Sequence, residues 1–320
     1  MAFLNKISSK AKTTANTGFG DNATSYGGRF IKKDGQANIG KSGISKLEQY
    51  SWFHTMLAMS RTNFFLTILF FFIVINLLFA MVYYLIGVDK LSGMTTHTEA
   101  EKFIEAFFFS TQTFTTVGYG RISPTGIMTS AIAAFQALIG LLSFAVATGL
   151  MYGRFSKPTA FIKFSHNAII APFKEGKALM LRLAPYKNTT LSEAEVRLTV
   201  GISIEENGKM VNRFYPLELE LAKINTLNLS WTIVHPIDDE SPFSNFSEED
   251  FRQVKGEIIV FVKAFDDMFS NTVVARTSYT FNEIIFGAKF SPMYNRNEDN
   301  SQTILHIDLL NKFEKIKLTC

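Results

Sequence analysis

Long apolar stretches separated by polar segments fill the first half of the chain, and short patterns of period two fill the second. Thr62–Ile86 and Ile127–Gly153 carry no charged residue. A helix crosses the hydrocarbon core with about 20 apolar residues, so each stretch predicts a membrane span. The alternative, a buried helix of a soluble protein, is disfavoured by such length without a charge. Just ahead of the first span, Ser51–Ser60 places Trp52, Phe53, Met56 and Leu57 on one apolar side. It reads as an interfacial helix lying along the headgroups, or else as an extra turn of the span. Between the spans, Glu105–Thr113 suits a short re-entrant helix.

After Pro158 the texture changes. Glu195–Ile204, Leu217–Leu221, Leu227–His235, Glu257–Phe265 and Val273–Phe281 mix β-branched and aromatic residues at period two, and each predicts a strand. Glu206-Asn207-Gly208-Lys209 is a tight hairpin signal, and Asp34-Gly35 marks a turn between short β-prone pieces. Residues 1–28, rich in Gly, Ser, Thr and Asn, read as a mobile tail with little capacity for a core. The division expected is therefore 1–50, a tail and strand; 51–158, a membrane domain; and 159–320, an all-β sandwich.

Charge orients the spans. Nine Lys and Arg residues against three acidic ones precede Thr62, and Arg154, Lys157 and Lys163 follow the second span. The connecting segment leans acidic, with Asp89, Glu99, Glu101 and Glu105 against Lys90, Lys102 and Arg121. The positive-inside rule puts both termini in the cytoplasm. A net charge of +4 is too small to suggest nucleic acid. The single cysteine, Cys320, permits no intrachain disulfide, and the five histidines (54, 97, 166, 235, 306) show no metal-ligand spacing. No nucleophile–base constellation points to an enzyme, and no cofactor is expected.

The chemistry lies at Thr116-Val117-Gly118-Tyr119-Gly120. This pentapeptide is recognised as the potassium-channel selectivity filter, so that assignment is an identification and not a derivation from spacing. The physical logic is that a dehydrated cation needs oxygen ligands on all sides, which inward-facing backbone carbonyls supply. Gly118 and Gly120 permit backbone angles that a Cβ opposes. The Thr116 hydroxyl adds an inner oxygen, while Val117 and Tyr119 are expected to pack outward against the pore helix. On the second span, Gln136, Gly140, Phe144, Thr148 and Tyr152 recur every four residues and share one face. That face suits a water-filled conduit; helix–helix hydrogen bonding by Gln136 and Thr148 is the alternative. Gly140 and Gly149 are either bending points or packing contacts.

With these features in place, the sequence resembles the inward-rectifier potassium channels from about Arg29 to Phe313. Gly153–Pro158 (GRFSKP), Phe164–Ala171 (FSHNAIIA), His235–Phe243 (HPIDDESPF) and Arg276–Gly287 (RTSYTFNEIIFG) carry the likeness, and other two-helix potassium channels share only the filter. The resemblance implies a homotetramer in the plasma membrane, conducting K+ through a two-helix pore domain with an immunoglobulin-like β-sandwich in the cytoplasm. It puts Phe144 where strong rectifiers carry an acidic residue. Glu193 falls at an acidic position of the cytoplasmic vestibule, and Lys263 replaces its partner. Weak or absent polyamine block is the expectation.

The same resemblance makes Tyr152 a bundle-crossing gate and Ala264–Thr272 a second constriction. Asp266, Asp267, Met268 and Ser270 lie in that loop, and its acids either concentrate cations or form a solvated loop pair. Arg61, Arg154 and Lys157 sit at the cytoplasmic membrane edge, suited to anionic phospholipid or phosphoinositide headgroups or to simple anchoring. Gln112 stands where many relatives have a pore-helix Glu, so no ion pair between that position and Arg121 is expected. A membrane-anchored sensor with a silent pore is the competing reading.

Overall fold

The computed structural model describes residues 6–14, 17–19, 29–45, 48, 51–95, 98–206 and 208–318. Asp21, Lys46, His97, Asn207 of the expected hairpin, and Cys320 lie outside them. The chain divides into a membrane unit, Ser42–Lys157, and a second unit made of Pro158–Cys320 with the residues up to Lys41.

In the membrane unit, α1 (Trp52–Ala58) starts where the Ser51 side chain accepts the His54 N–H. It leaves Trp52 and Phe53 exposed, as an interfacial helix requires. The backbone then breaks at Met59 and Ser60, both extended in ψ, before α2 (Arg61–Ile86), which Ser60 caps through Asn63 N–H. The two are separate helices. A short pairing of β1 (Leu91–Ser92) with β2 (Ser123–Pro124) ties the connecting segment. Between these strands lies α3 (Glu99–Phe114), whose N-terminus Thr98 caps, and α4 (Ile127–Phe155) follows. Ala80, Tyr83, Ala106, Phe109 and Ala133 pack the three long helices together. Only 11% and 17% of the most apolar windows of α2 and α4 are buried, the reverse of a soluble core helix. These faces are built for an apolar solvent.

The second unit holds two five-stranded sheets. One has the order β11 (Asn271–Thr280), β10 (Gly256–Asp266), β6 (Leu191–Glu206), β7 (Lys209–Leu217), with β8 (Lys223–Thr226) also on β6. The other runs β12 (Ile284–Phe286), β4 (Ala168–Phe173), β5 (Gly176–Pro185), β3 (Ile162–Phe164), with β9 (Trp231–Pro236) also on β5. Leu179, Leu181, Leu183 and Ile233 from the second sheet meet Val196, Val200, Ile258 and Val260 from the first in one core. Period-two patterns over 195–204, 257–265 and 273–281 correspond to β6, β10 and β11. Leu217–Leu221 is not a strand, because β7 ends at Leu217, and the Leu227–His235 pattern is a strand only from Trp231.

The N-terminal residues need a correction. Ile7 is buried in the sandwich core, Lys6 pairs with Asp250 at 2.6 Å, and the Phe19 ring packs against that of Phe30 at a tilt of 46°. The described part of this segment is docked, not a free tail. Burial alone would push the Asp250 carboxyl up, but hydrogen bonds from Lys6 and Ser247 outweigh it and hold it at about 2. The turn at Asp34-Gly35 forms as read, with Ile31 bridging Ala37. The buried Glu257 carboxylate accepts the Phe30 and Ile31 N–H groups, so β10 itself anchors this piece. His235, buried on β9, donates from Nδ1 to the Glu218 carbonyl at 2.6 Å, which leaves Nε2 to accept the Ser241 hydroxyl at 2.8 Å. Burial lowers its pKa, an effect partly opposed by Glu218 and Asp238.

Candidate ion-conduction site

The filter begins where α3 unwinds. Thr116 N–H bonds the Thr113 carbonyl at 3.1 Å and Val117 N–H the Gln112 carbonyl at 3.0 Å, so the first two filter residues hang from the helix end. The φ angles of Thr116, Gly118 and Gly120 are +58°, +53° and +82°, while Val117 and Tyr119 keep negative φ. Residues alternating between negative and positive φ can turn successive carbonyls to one side, the arrangement that a row of backbone-oxygen ligands for a cation needs. A left-handed Thr is strained, which marks the turn out of the helix. Val117 and Tyr119 are 54% and 80% exposed. They overhang an apolar groove of about 420 Å³ lined by Phe72, Phe107, Phe108 and Thr111. The expected packing of both side chains against the pore helix is thus not completed within one chain.

Arg121, directly after the filter, is braced, but not by residue 112. Its Nη2 donates to Glu105 Oε1 at 2.7 Å, and the buried Glu105 also accepts from Thr95 N–H at 3.2 Å. Seven residues separate 105 from 112, two helical turns, so a carboxylate nearer the start of α3 takes the role. The sequence reading missed Glu105 because it looked only at the position resembling the family's Glu. Four acidic residues near Arg121 were visible, but which of them meets it depends on how Leu91–Pro124 folds back.

Two of the five expected pore-lining residues on α4 are corrected. Gln136 is fully buried: it accepts the Tyr83 hydroxyl at 2.7 Å and donates to Ser110 Oγ at 2.6 Å. A side chain enclosed within one chain lines no conduit, and the helix–helix alternative holds for it. Gly140 is also buried, and a Cβ there would collide with the Phe114 carbonyl, so it is a packing glycine. Phe144 and Tyr152 are 73% and 74% exposed, and Thr148 between them is exposed with its hydroxyl on the Phe144 carbonyl. These three share an open face, and Gly149 beside them has open space where a Cβ would stand.

In the second unit, Glu193 sits on a bulge of β6 with φ +49°, exposed, 3.7 Å from Lys223. Lys263 is exposed on β10 opposite Glu195. Asp266 does not present its charge to solvent: it is fully buried, accepting from Thr189 Oγ1 at 3.1 Å and from the Met268 and Phe269 N–H groups. It shapes the turn that carries Met268 and Ser270, which stay exposed, as does Asp267 with its carboxylate on Ser192 Oγ. At the membrane edge Arg61 and Lys157 are exposed. Arg154 is committed elsewhere, donating to the Met56 carbonyl at 2.9 Å and lying over the Phe64 ring at 4.7 Å. It fastens α4 to the end of α1.

Comparison with known proteins agrees with this arrangement. The model for the inward rectifier potassium channel C-terminal domain matches residues 162–319, and an ion channel model matches 71–157. The chain is 34% identical over 281 residues to the inward rectifier potassium channel Kirbac3.1 of Paramagnetospirillum magnetotacticum, covering 86% of this chain and 92% of that one. It is 27% identical over 288 residues to inward rectifier potassium channel 18 of Homo sapiens, covering 83% of this chain and 66% of that one. The identity to the Caenorhabditis elegans inward rectifier potassium channel irk-1 is also 27%, covering 88% and 56%. The animal relatives therefore extend well beyond what this chain spans. The 34% identity over most of both chains and the two matching family models, together with two apolar spans and a β-sandwich that follows them in sequence, place this membrane protein, a potassium channel subunit and not an enzyme, in the inward rectifier potassium channel family, among its prokaryotic members.

Proposed function

We propose that four copies surround one axis, so that the Thr116–Gly120 carbonyls of each wall a K+ file, and that both termini lie in the cytoplasm of a cell whose plasma membrane the pore crosses. The filter backbone carries the reading: φ alternates in sign over 116–120, between two lipid-suited helices. Support for self-association comes from Val117, Tyr119, Phe144 and Tyr152, large side chains left exposed on a single chain. Phe144, Thr148 and Tyr152 line the inner pore, with Tyr152 as its narrowest ring; Glu193, Lys263, Asp267, Met268 and Ser270 border the cytoplasmic path. Arg61 and Lys157 meet anionic lipid, phosphoinositide included, and Arg154 positions the edge they share. Purified protein in liposomes should take up rubidium in a barium-sensitive manner that changes with anionic lipid. No barium-sensitive uptake at any lipid composition would instead favour the silent sensor.

Rectification should be weak. An aromatic ring at 144 offers no attraction to a polyamine, and Lys263 repels one. Internal spermine should block wild type only shallowly with voltage, whereas Phe144→Asp should raise spermine affinity by about tenfold or more, which is about 1.4 kcal/mol. Patch recordings of reconstituted channels measure this; steep micromolar block of wild type would refute it.

A further inference from the structure

We infer that Tyr83, Gln136, Ser110 and Asn76 form a positioning chain that holds the pore helix, and through it the filter, in its potassium-selective setting. The inference rests on the filter reading above and adds residues that touch no ion. All four side chains are 0–1% exposed, and they come from three helices: Asn76 and Tyr83 from α2, Ser110 from α3, Gln136 from α4. The hydrogen bonds run in one direction. Tyr83 donates to Gln136 Oε1 at 2.7 Å, Gln136 Nε2 to Ser110 Oγ at 2.6 Å, Ser110 Oγ to Asn76 Oδ1 at 2.8 Å, and Asn76 Nδ2 to the Phe72 carbonyl at 2.8 Å. Gln136 Nε2 also reaches the Ser110 carbonyl at 3.0 Å. Bonds arranged head to tail polarise one another.

Holding the helices together does not require this chain. A hydrogen bond between membrane helices contributes on average about 0.6 kcal/mol, and apolar packing supplies as much. What the chain adds is one permitted register. Gln136 fixes α3 at Ser110; one turn further along α4, Gly140 abuts the Phe114 carbonyl. Two residues beyond Phe114 stands Thr116, whose amide is tied to Thr113. A shift of α4 therefore reaches the first filter residue through two grips on one short helix.

The test uses the full-length channel in liposomes, with Gln136→Met as a near-isosteric side chain that keeps volume and removes every hydrogen bond. Ser110→Ala breaks the same chain in its middle, and Gln136→Glu, an acid able to accept from Tyr83 and donate to Ser110, serves as rescue. Potassium-over-sodium permeability and half-blocking barium are read beside oligomer size and melting temperature. Gln136→Met and Ser110→Ala should each lower the permeability ratio about tenfold at unchanged oligomer size and melting, with Gln136→Glu recovering most of it. Unchanged selectivity and barium block in either apolar variant would overturn the inference, as would a loss that merely tracks melting. Wild type lacking barium-sensitive flux would instead strike the filter reading itself.

Discussion

Replacing Arg121 with alanine should reduce barium-sensitive rubidium uptake at least tenfold, with part of the residual flux admitting sodium. The reason is geometric. Arg121 begins the return of the chain from the filter, and its guanidinium is held by Glu105 on α3 at 2.7 Å. The pair thus spans the filter from the helix before it to the residue after it. Its carboxylate is 9% exposed and its guanidinium 57%, so the two ends are unequal. Removing Arg121 strips a buried carboxylate of its cationic partner, and losing one member of a buried ion pair costs several kcal/mol in the buried limit. The open guanidinium side lets water return part of that. Glu105→Gln keeps a hydrogen bond to Arg121 and should fall in between. Exchanging the two, Glu105→Arg with Arg121→Glu, restores attraction but buries the long cation, so recovery should be partial. Wild-type flux and selectivity in Arg121→Ala would show that the filter needs no such strut.

Much of this was legible in the sequence because lipid and backbone impose simple rules. The spans were marked by length without charge, and the breaks at Ser51 and Ser60 are serine caps. The filter is a backbone device whose glycines are fixed by φ. Side-chain destinations were harder. Gln136 and Phe144 stand on the same four-residue rhythm, yet one faces α3 and the other faces outward, because a helix of 3.6 residues per turn drifts across its own face within two turns. A signal was present: Asn76 is a lone amide in a run of Leu, Phe and Ile, and such a residue needs a polar partner on another helix. Asp266 and Asp267 read as equal charges, but β pairing to Asn271 buries the first and exposes the second. Arg154 carried the charge of a lipid anchor and the geometry of a helix fastener.

Arg182 shows the same limit in the β unit and leads to the largest expected loss of stability. It lies on β5 and is 3% exposed, and among the described residues its guanidinium donates to carbonyls and to no carboxylate. Nη1 reaches Ser291 at 2.6 Å, Nη2 reaches Leu309 at 2.6 Å and Leu310 at 2.8 Å, and the plane stacks on Phe290 at 4.6 Å. Burial lowers its pKa from a value so high that it stays charged. One planar fork thus satisfies two separate stretches, 291 and 309–310, and fastens both to a central strand. With Arg182→Ala all three carbonyls lose the guanidinium together, and although Leu309 keeps the Lys312 N–H at 3.0 Å, the loss costs about 1–3 kcal/mol for each carbonyl left unpaired where water cannot reach. A total of about 3–5 kcal/mol would lower the melting temperature by about 10 °C, at 2–4 °C per kcal/mol for a domain of this size. Arg182→Lys supplies three donors without the fork and should lose roughly half as much. Melting of the purified full-length channel, followed by circular dichroism at a single scan rate, measures both. A shift within about 2 °C for the alanine variant would mean that the clasp closes without its cation, and that the carbonyls at 291 and 309–310 find water as readily as they found Arg182.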